Sequence, residues 1–178
     1  MTNTTWVADA MHSEIGFKVK HLMISTITGK FGTFDVSVQT QDDDFSTANI
    51  SFSADVASVS THQTDRDNHL KSPDFFDVAN FPKISFTSTG MTKKDDGEYD
   101  LTGNLTIRDV TKSVSLKVEF GGIAKDPYGN TKAGFTVEGK ISRAEFGLKT
   151  SILTDTGGVV IGDEIKIHCE LEMLKTVA

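Results

Sequence analysis

Apolar residues recur at every second position in eight separate stretches of this chain, and a period of two restricts them to strands with one buried and one wet face. The first four are Ile15, Phe17, Val19; Phe34, Val36, Val38; Ile50, Phe52, Ala54, Val56; and Ile84, Phe86. The next four are Tyr99, Leu101, Gly103, Leu105, Ile107; Val114, Leu116, Val118, Phe120; Ala133, Phe135, Val137, Gly139, Ile141; and Ile165, Ile167, Cys169, Leu171, Met173. Ser, Thr, Lys, Glu and Asp fill most positions between them. One clean alternation per strand indicates antiparallel pairing, because parallel strands buried on both faces read as continuous apolar runs.

Turn chemistry separates the stretches. Asp96-Gly97, Asp126-Pro127-Tyr128-Gly129-Asn130 and Gly157-Gly158 suit tight hairpins, and Asp42-Asp43-Asp44 reads as a solvated hairpin loop. Hairpin-linked neighbours predict a meander. Eight such strands either stack as two sheets or close on themselves, and closure removes exposed edges. The expectation is therefore an all-β fold, a single antiparallel eight-stranded β-barrel spanning residues 1–178 as one domain. A barrel of about eight strands can fill itself with side chains or hold one small ligand. Ala54, Gly103, Ala133 and Gly139 fall in the inward register, where they either leave a cavity or mark bends and bulges.

Residues 61–86, THQTDRDNHLKSPDFFDVANFPKISF, break the alternation. Non-periodic segments inside a regular β fold are where a lid or ligand mouth is found. One or two short helices are expected within residues 64–80. Thr64 stands three residues before Asp67, a capping-box-like spacing, and Ser72 with Pro73 and Asp74 suits a second helical start.

Charge and cysteine content remove several function classes. The formal net charge is −7 with a pI near 5.1, and Lys and Arg are scattered among acids. That is not the footprint of a nucleic-acid binder, and it predicts no basic membrane-surface patch. Cys169, the one cysteine, leaves no intramolecular disulfide framework or multi-cysteine metal site. No stretch approaches the ~18 apolar residues of a membrane-spanning helix, so stable membrane insertion is not expected. The opening MTNTTWVADAMHSEIGF has neither the charged nor the apolar region of a secretory signal. A cytoplasmic location is the expectation, with the periplasm the alternative if a leader has been removed.

No constellation of catalytic residues stands out. There is no G-x-S-x-G elbow and no isolated carboxylate pair, so the reading is non-catalytic and cofactor-free. His62, Asp65, Asp67 and His69 lie close together, but their spacing matches no strong metal motif and Arg66 among them would repel a cation, so no metal is expected. His168 falls in an outward register. His21 continues the inward phase of Phe17 and Val19, where it can meet a ligand's polar end or make a structural hydrogen bond. Cys169, also inward, reads as a small core hydrophobe. Phe75, Phe76 and Phe81 lie beside Arg66, His69 and Lys71. Together they suit an amphiphile with an apolar tail and a polar head, or else the aromatics cap one barrel end while the cations are solvated.

These residues resemble a known family over nearly the whole chain. The resemblance runs through Trp6-Val7-Ala8-Asp9 with His12-Ser13, Ile15-Gly16-Phe17-Lys18-Val19-Lys20-His21 and Gly29-Lys30-Phe31. It continues in Thr64-Asp65-Arg66-Asp67-Asn68-His69-Leu70-Lys71-Ser72, Phe75-Phe76-Asp77 and Phe81-Pro82. Later come Gly103-Asn104-Leu105-Thr106-Ile107-Arg108, Arg143 with Phe146-Gly147, and Val160-Ile161-Gly162-Asp163. The chain is similar to the YceI-like proteins, bacterial lipid-binding domains of lipocalin-like barrel form. It departs from their usual pattern at Asp109, often Gly, and Ser113, often Pro; Asp tolerates a left-handed turn better than most residues.

The resemblance implies a barrel that binds, stores or transports a long amphiphile such as a polyisoprenoid or isoprenoid quinone. Homodimers are frequent in such a family, so a homodimer is an expected assembly. The tail is expected between Phe17, Val19, Phe34, Phe52 and Phe86 on one side and Leu101, Leu105, Leu116 and Phe135 on the other. Phe75 and Phe76 would stand at the mouth, and the head group near His21, Arg66 or His69. Two other readings are an enzyme using His21 or His69 on an isoprenoid-like substrate, and a stress-associated structural or interaction protein with a filled core.

Overall fold

The structure, a computed structural model, describes residues 2–148 and 161–176. Eleven strands appear in chain order: β1 (Asn3–Ala8), β2 (Glu14–His21), β3 (Ser25–Phe31), β4 (Phe34–Gln41), β5 (Asp44–Asp55) and β6 (Val59–Ser60). After one α-helix, α1 (Thr64–Lys71), come β7 (Lys83–Asp95), β8 (Glu98–Ile107), β9 (Val110–Lys125), β10 (Thr131–Ser142) and β11 (Ile161–Lys175). Among the described residues no helix is long and apolar enough to cross a membrane.

The strands form a closed antiparallel ring in the order β1-β4-β5-β7-β8-β9-β10-β11, with β11 returning to β1. From β4 to β11 it is the expected meander apart from the excursion through β6 and α1. The eight members are not quite the eight alternating stretches. β1 belongs to the ring, whereas β2 leaves it and builds a side wall with β3 and β6. The cause is β11, which is long enough to hold both. Residues Met173–Lys175 pair with β1, and the stretch from Ile161 to Glu170 pairs with β2. β1 and β2 thus lie end to end along one partner, and Asp9 breaks them apart. Its carboxylate accepts from the Met11 amide at 3.2 Å and caps a single 3-10 turn. The strand β1 has one large inward residue, Trp6, and so shows no run of alternation.

Most turn chemistry is as expected. Asp96-Gly97 closes β7–β8 with Gly97 at φ +72°, and Asp126 accepts from the Tyr128 and Asn130 amides, each at 2.9 Å. Asp42-Asp43 links β4 to β5, and Lys175 Nζ reaches Asp43 at 2.9 Å across the barrel seam. Gly157-Gly158 lies outside the described residues. In the β8–β9 turn the left-handed residue is Arg108, at φ +56°, rather than Asp109. Arg108 holds that conformation while its guanidinium stands 5.8 Å from the centre of the Phe81 ring.

The non-periodic segment forms one helix, not two. Gln63 rather than Thr64 occupies the N-cap and makes no side-chain bond there. Asp67 turns away from the helix start and accepts from the Thr61 amide and hydroxyl at 2.8 and 2.6 Å. After Lys71 the chain tightens into turns around Ser72, whose carbonyl accepts from the Phe75 and Asp77 amides.

Candidate functional site

One end of the barrel is sealed by aromatic rings. Phe45 stands 5.2 Å from Trp6, 5.1 Å from Phe120 and 4.8 Å from Phe135, centre to centre. Trp6 is wholly buried, and its indole N–H donates to Thr40 Oγ1 at 3.3 Å. Phe120 and Phe135 stack at 5.3 Å, so the four rings pack together across that end.

Behind this plug the inward faces enclose an apolar cavity of about 240 Å³. Strand β11 contributes Ile165, Ile167, Cys169, Leu171 and Met173, a wall ~27 Å long measured along the strand. The side wall adds Ile15, Phe17, Val19 and Phe31. Where the sheet ends beyond β6, the helical segment supplies Leu70, Phe75 and Phe76, the last 6.1 Å from the Phe31 ring.

Ten of the side chains expected at a ligand line this space. They are Phe17, Val19, Phe52, Phe75 and Phe76 together with Phe86, Leu101, Leu105, Leu116 and Phe135. Four do not. Phe34 packs against the core without reaching the lumen. His21 lies past Val19 at the end of β2, outside the lining, where its carbonyl accepts from the Ile24 amide. Arg66 donates from Nε and Nη2 to Thr61 Oγ1 and O, each at 2.7 Å. His69 is half exposed and meets Asp74 Oδ2 at 3.1 Å. The polar face of α1 is therefore tied to its own flanks, while its neighbours on the apolar side close the lumen.

Of the small inward residues Ala54 lines the cavity, but the two glycines do not create it. Gly103 faces the Phe86 ring, where an added Cβ would lie 2.3 Å from Cζ. Gly139 faces Leu116 with the same 2.3 Å approach to Cδ2. Neither is a bend or a void; each seats a side chain from the adjoining strand. Gly29 does likewise for its partner Phe17.

Among the described residues one charged side chain lines the lumen, and it was not among the expected ligand contacts. Arg143 is 5% exposed, and donates from Nε to Gly162 O at 2.8 Å, from Nη1 to Leu148 O at 2.6 Å and from Nη2 to Ile161 O at 3.1 Å. The signal was present in the sequence: Arg143 continues the inward phase of Gly139 and Ile141 past the end of the apolar run. Cys169 sits deep in the wall, and burial pushes its thiol up to about 11, which keeps it protonated and unreactive at neutral pH.

The acids and histidines of α1 gather into no metal-ligand cluster. Among the described residues such a cluster forms instead at Asp9, His12 and Glu172. Lys132 already fills it, with Nζ 2.9 Å from Asp9 Oδ2 and 2.8 Å from Glu172 Oε1. Its ammonium holds the Asp9 carboxyl down to about 2 and offsets the charge that a metal would need.

Strand register also sorts charge on the outer wall, against the expectation of a scattered distribution. Glu98 stands opposite Glu119, and these border an outer polar cleft of about 520 Å³ with Asp96, Glu170 and Glu172. Towards the other end Lys140, Lys166 and Lys18 stand side by side across β10, β11 and β2. His168 faces outward between the two zones, 3.2 Å from Glu138 and 2.9 Å from Glu170.

Comparison with known proteins follows the same geometry. The YceI-like domain matches residues 6–173. The UPF0312 protein SA2479 of Staphylococcus aureus strain N315 is 38% identical over 173 residues, covering 97% of each chain. The YceI protein of Campylobacter jejuni, in a crystal form with large solvent channels used for nanotechnology, is 35% identical with a TM-score of 0.77, covering 95% of this chain and 96% of its own. Two more distant structures share the fold. BcnA of Burkholderia cenocepacia has a TM-score of 0.79 at 23% identity, covering 93% of this chain and 98% of its own. A polyisoprenoid binding domain from Saccharophagus degradans, implicated in plant cell wall breakdown, has a TM-score of 0.63 at 15% identity, covering 96% and 98%.

Proposed function

The chain belongs to the YceI-like family, and on that premise we propose that it binds and carries a long amphiphilic lipid, of polyisoprenoid or isoprenoid-quinone type, without transforming it. The observation that carries this reading is the lumen: apolar along its length, sealed at one end by Trp6, Phe45, Phe120 and Phe135, with Arg143 the one charged lining residue among those described. Such a space offers no solvation to a polar ligand. It stabilises a hydrocarbon tail by about 0.8 kcal/mol per buried CH₂, so several isoprene units suffice for tight binding. Area-driven binding of this kind selects weakly among tails, leaving discrimination to the head group. The Saccharophagus degradans domain, a polyisoprenoid binder of the same fold, supports the choice of a prenyl chain.

Organic extraction of natively purified protein, followed by mass spectrometry beside a denatured and delipidated control, tests the proposal. A stoichiometric prenyl lipid or quinone is the expected result. A protein that is empty and also fails to take up added polyprenyl lipid would return the barrel to a filled structural core.

A further inference from the structure

The turn between β2 and β3 combines two features that a hairpin facing only water avoids. Its residues Leu22, Met23 and Ile24 are large, apolar and 40%, 63% and 84% exposed. Leu22 and Met23 also hold φ of +53° and +59°, with the Ile24 amide donating to His21 O at 3.2 Å. Two left-handed central residues closed in this way form the turn that Asn-Gly adopts without strain and that bulky side chains resist. Unfavourable solvation and unfavourable backbone coincide on three successive residues. Such a combination persists where the side chains themselves are needed.

Behind the tip the wall is basic. Lys140 stands opposite Lys166, and Lys166 opposite Lys18, a juxtaposition of like charges that destabilises a sheet in water. Lys20 lies on the same face of β2 as Lys18, one pleat nearer the tip, and all four lysines are exposed. Lys140 has Glu164 at 3.7 Å, and Asp163 is held by Ser142 and the Ala144 amide. Among the described residues, Lys18 and Lys166 have no carboxylate partner.

The spacing suits a lipid surface. Lys20 is three residues from Met23, roughly 10 Å along the strand. Apolar elements that rest in a bilayer interface sink about 5–10 Å into the headgroup and acyl boundary. At that depth Lys20 stands among lipid phosphates, and Lys18 with Lys166 level with it, about 7 Å further back along the strand, lies within a Debye length of them. The overall charge of −7 does not prevent this, because the group of Glu98, Glu119, Glu170 and Glu172 lies towards the opposite end of the wall, where charges beyond a Debye length of about 10 Å are screened, and the carboxylates nearer the tip, Asp163 and Glu164, are engaged by Ser142, the Ala144 amide and Lys140. The tip also adjoins the lumen. His21 at its base pairs with Ile161, which lines the cavity as Val19 does, while the far end carries the aromatic plug.

We propose that the β2–β3 hairpin docks the protein on an anionic lipid membrane. Leu22, Met23 and Ile24 enter the acyl boundary, Lys20 meets headgroup phosphates with Lys18 and Lys166 attracted to the anionic surface behind it, and the end of the lumen away from the aromatic plug, where Leu70, Phe75 and Phe76 stand, faces the bilayer from which an amphiphile enters. That last step rests on the lipid-carrying function proposed above; the docking does not.

Co-sedimentation of the intact protein with vesicles of phosphatidylcholine and phosphatidylglycerol in equal parts, against phosphatidylcholine alone, tests it. The wild type should sediment with the anionic vesicles, less so as salt rises. Leu22→Asn combined with Met23→Gly preserves the turn and removes two apolar side chains. It should abolish sedimentation while the thermal midpoint holds or rises. Lys18→Gln with Lys166→Gln should weaken partitioning about fivefold per lysine.

Wild-type protein that ignores both vesicles or treats them alike, or a tip variant that partitions unchanged, overturns the proposal. So does a wild-type dimer that the tip variant dissociates without vesicle binding, which would assign the tip to a second copy. Uptake of polyprenyl lipid from detergent micelles separates the two proposals. Uptake without docking sinks the docking alone, and docking without uptake sinks the lipid-carrying reading alone.

Discussion

Single residues set how the wall of this barrel is built. Gly103 is a packing device: an added Cβ would lie 2.3 Å from Phe86 Cζ and 2.6 Å from the Thr87 carbonyl oxygen. The ring could rotate away, but the backbone could not, so Gly103→Ala should destabilise the protein by about 1–3 kcal/mol in urea unfolding, as overpacked sites do. Wild-type stability would show that the strand can shift. Cys169 gives a second readout. Burial raises its thiol from 9.0 to about 11. Between these values the unfolded chain has released the proton and the folded chain retains it, so stability must fall as pH rises through that window. Unfolding measured against pH should show this slope in the wild type and lose it in Cys169→Ala. Arg143 shows how a charge can line an apolar lumen: its guanidinium spends donors on the Gly162, Leu148 and Ile161 carbonyls, and a buried charge satisfied in this way avoids most of the desolvation cost.

At the scale of elements, the short strand β1 decides closure. It joins β4 to β11 and brings the only tryptophan of the chain into full burial. Trp6→Ala should therefore cost about 3–5 kcal/mol and loosen the seam, seen as an earlier circular-dichroism transition and faster amide exchange in β1 and β4. A cost confined to a few tenths of a kcal/mol would mean that the Asp43–Lys175 pair and the backbone ladder hold the seam unaided. The helix α1 shows the opposite balance. Its lack of sheet periodicity sets it apart as a candidate ligand mouth, and Leu70 in the helix, with Phe75 and Phe76 just after it, lines the lumen. The cations beside them do not, because Thr61 offers Arg66 a hydroxyl and a carbonyl at 2.7 Å and Asp74 offers His69 a carboxylate at 3.1 Å. Local partners within a few residues cost less chain entropy than reaching a ligand.

For the whole molecule, the lumen and the charge distribution are collective properties. Leu105 lies where walls from β7, β8 and β9 meet the cavity, so Leu105→Trp should occupy ligand space. The expected outcome is a folded variant that retains little extractable lipid. A folded variant with unchanged lipid content would place the tail elsewhere. The alternating stretches determined the all-β class, the antiparallel sense, most turns and which side chains face inward. Eight of the expected lining residues, all but Phe75 and Phe76, follow from that parity alone, because in a strand it is a local property of the backbone. The tertiary structure decided which strand closes the ring, since β1 and β2 compete for the same long β11 and the break at Asp9 separates them. It also decided what fills the space beside Gly103 and Gly139, and where Lys18, Lys140 and Lys166 meet. Those outcomes depend on register between strands far apart in the chain, and register is settled only when the whole barrel closes.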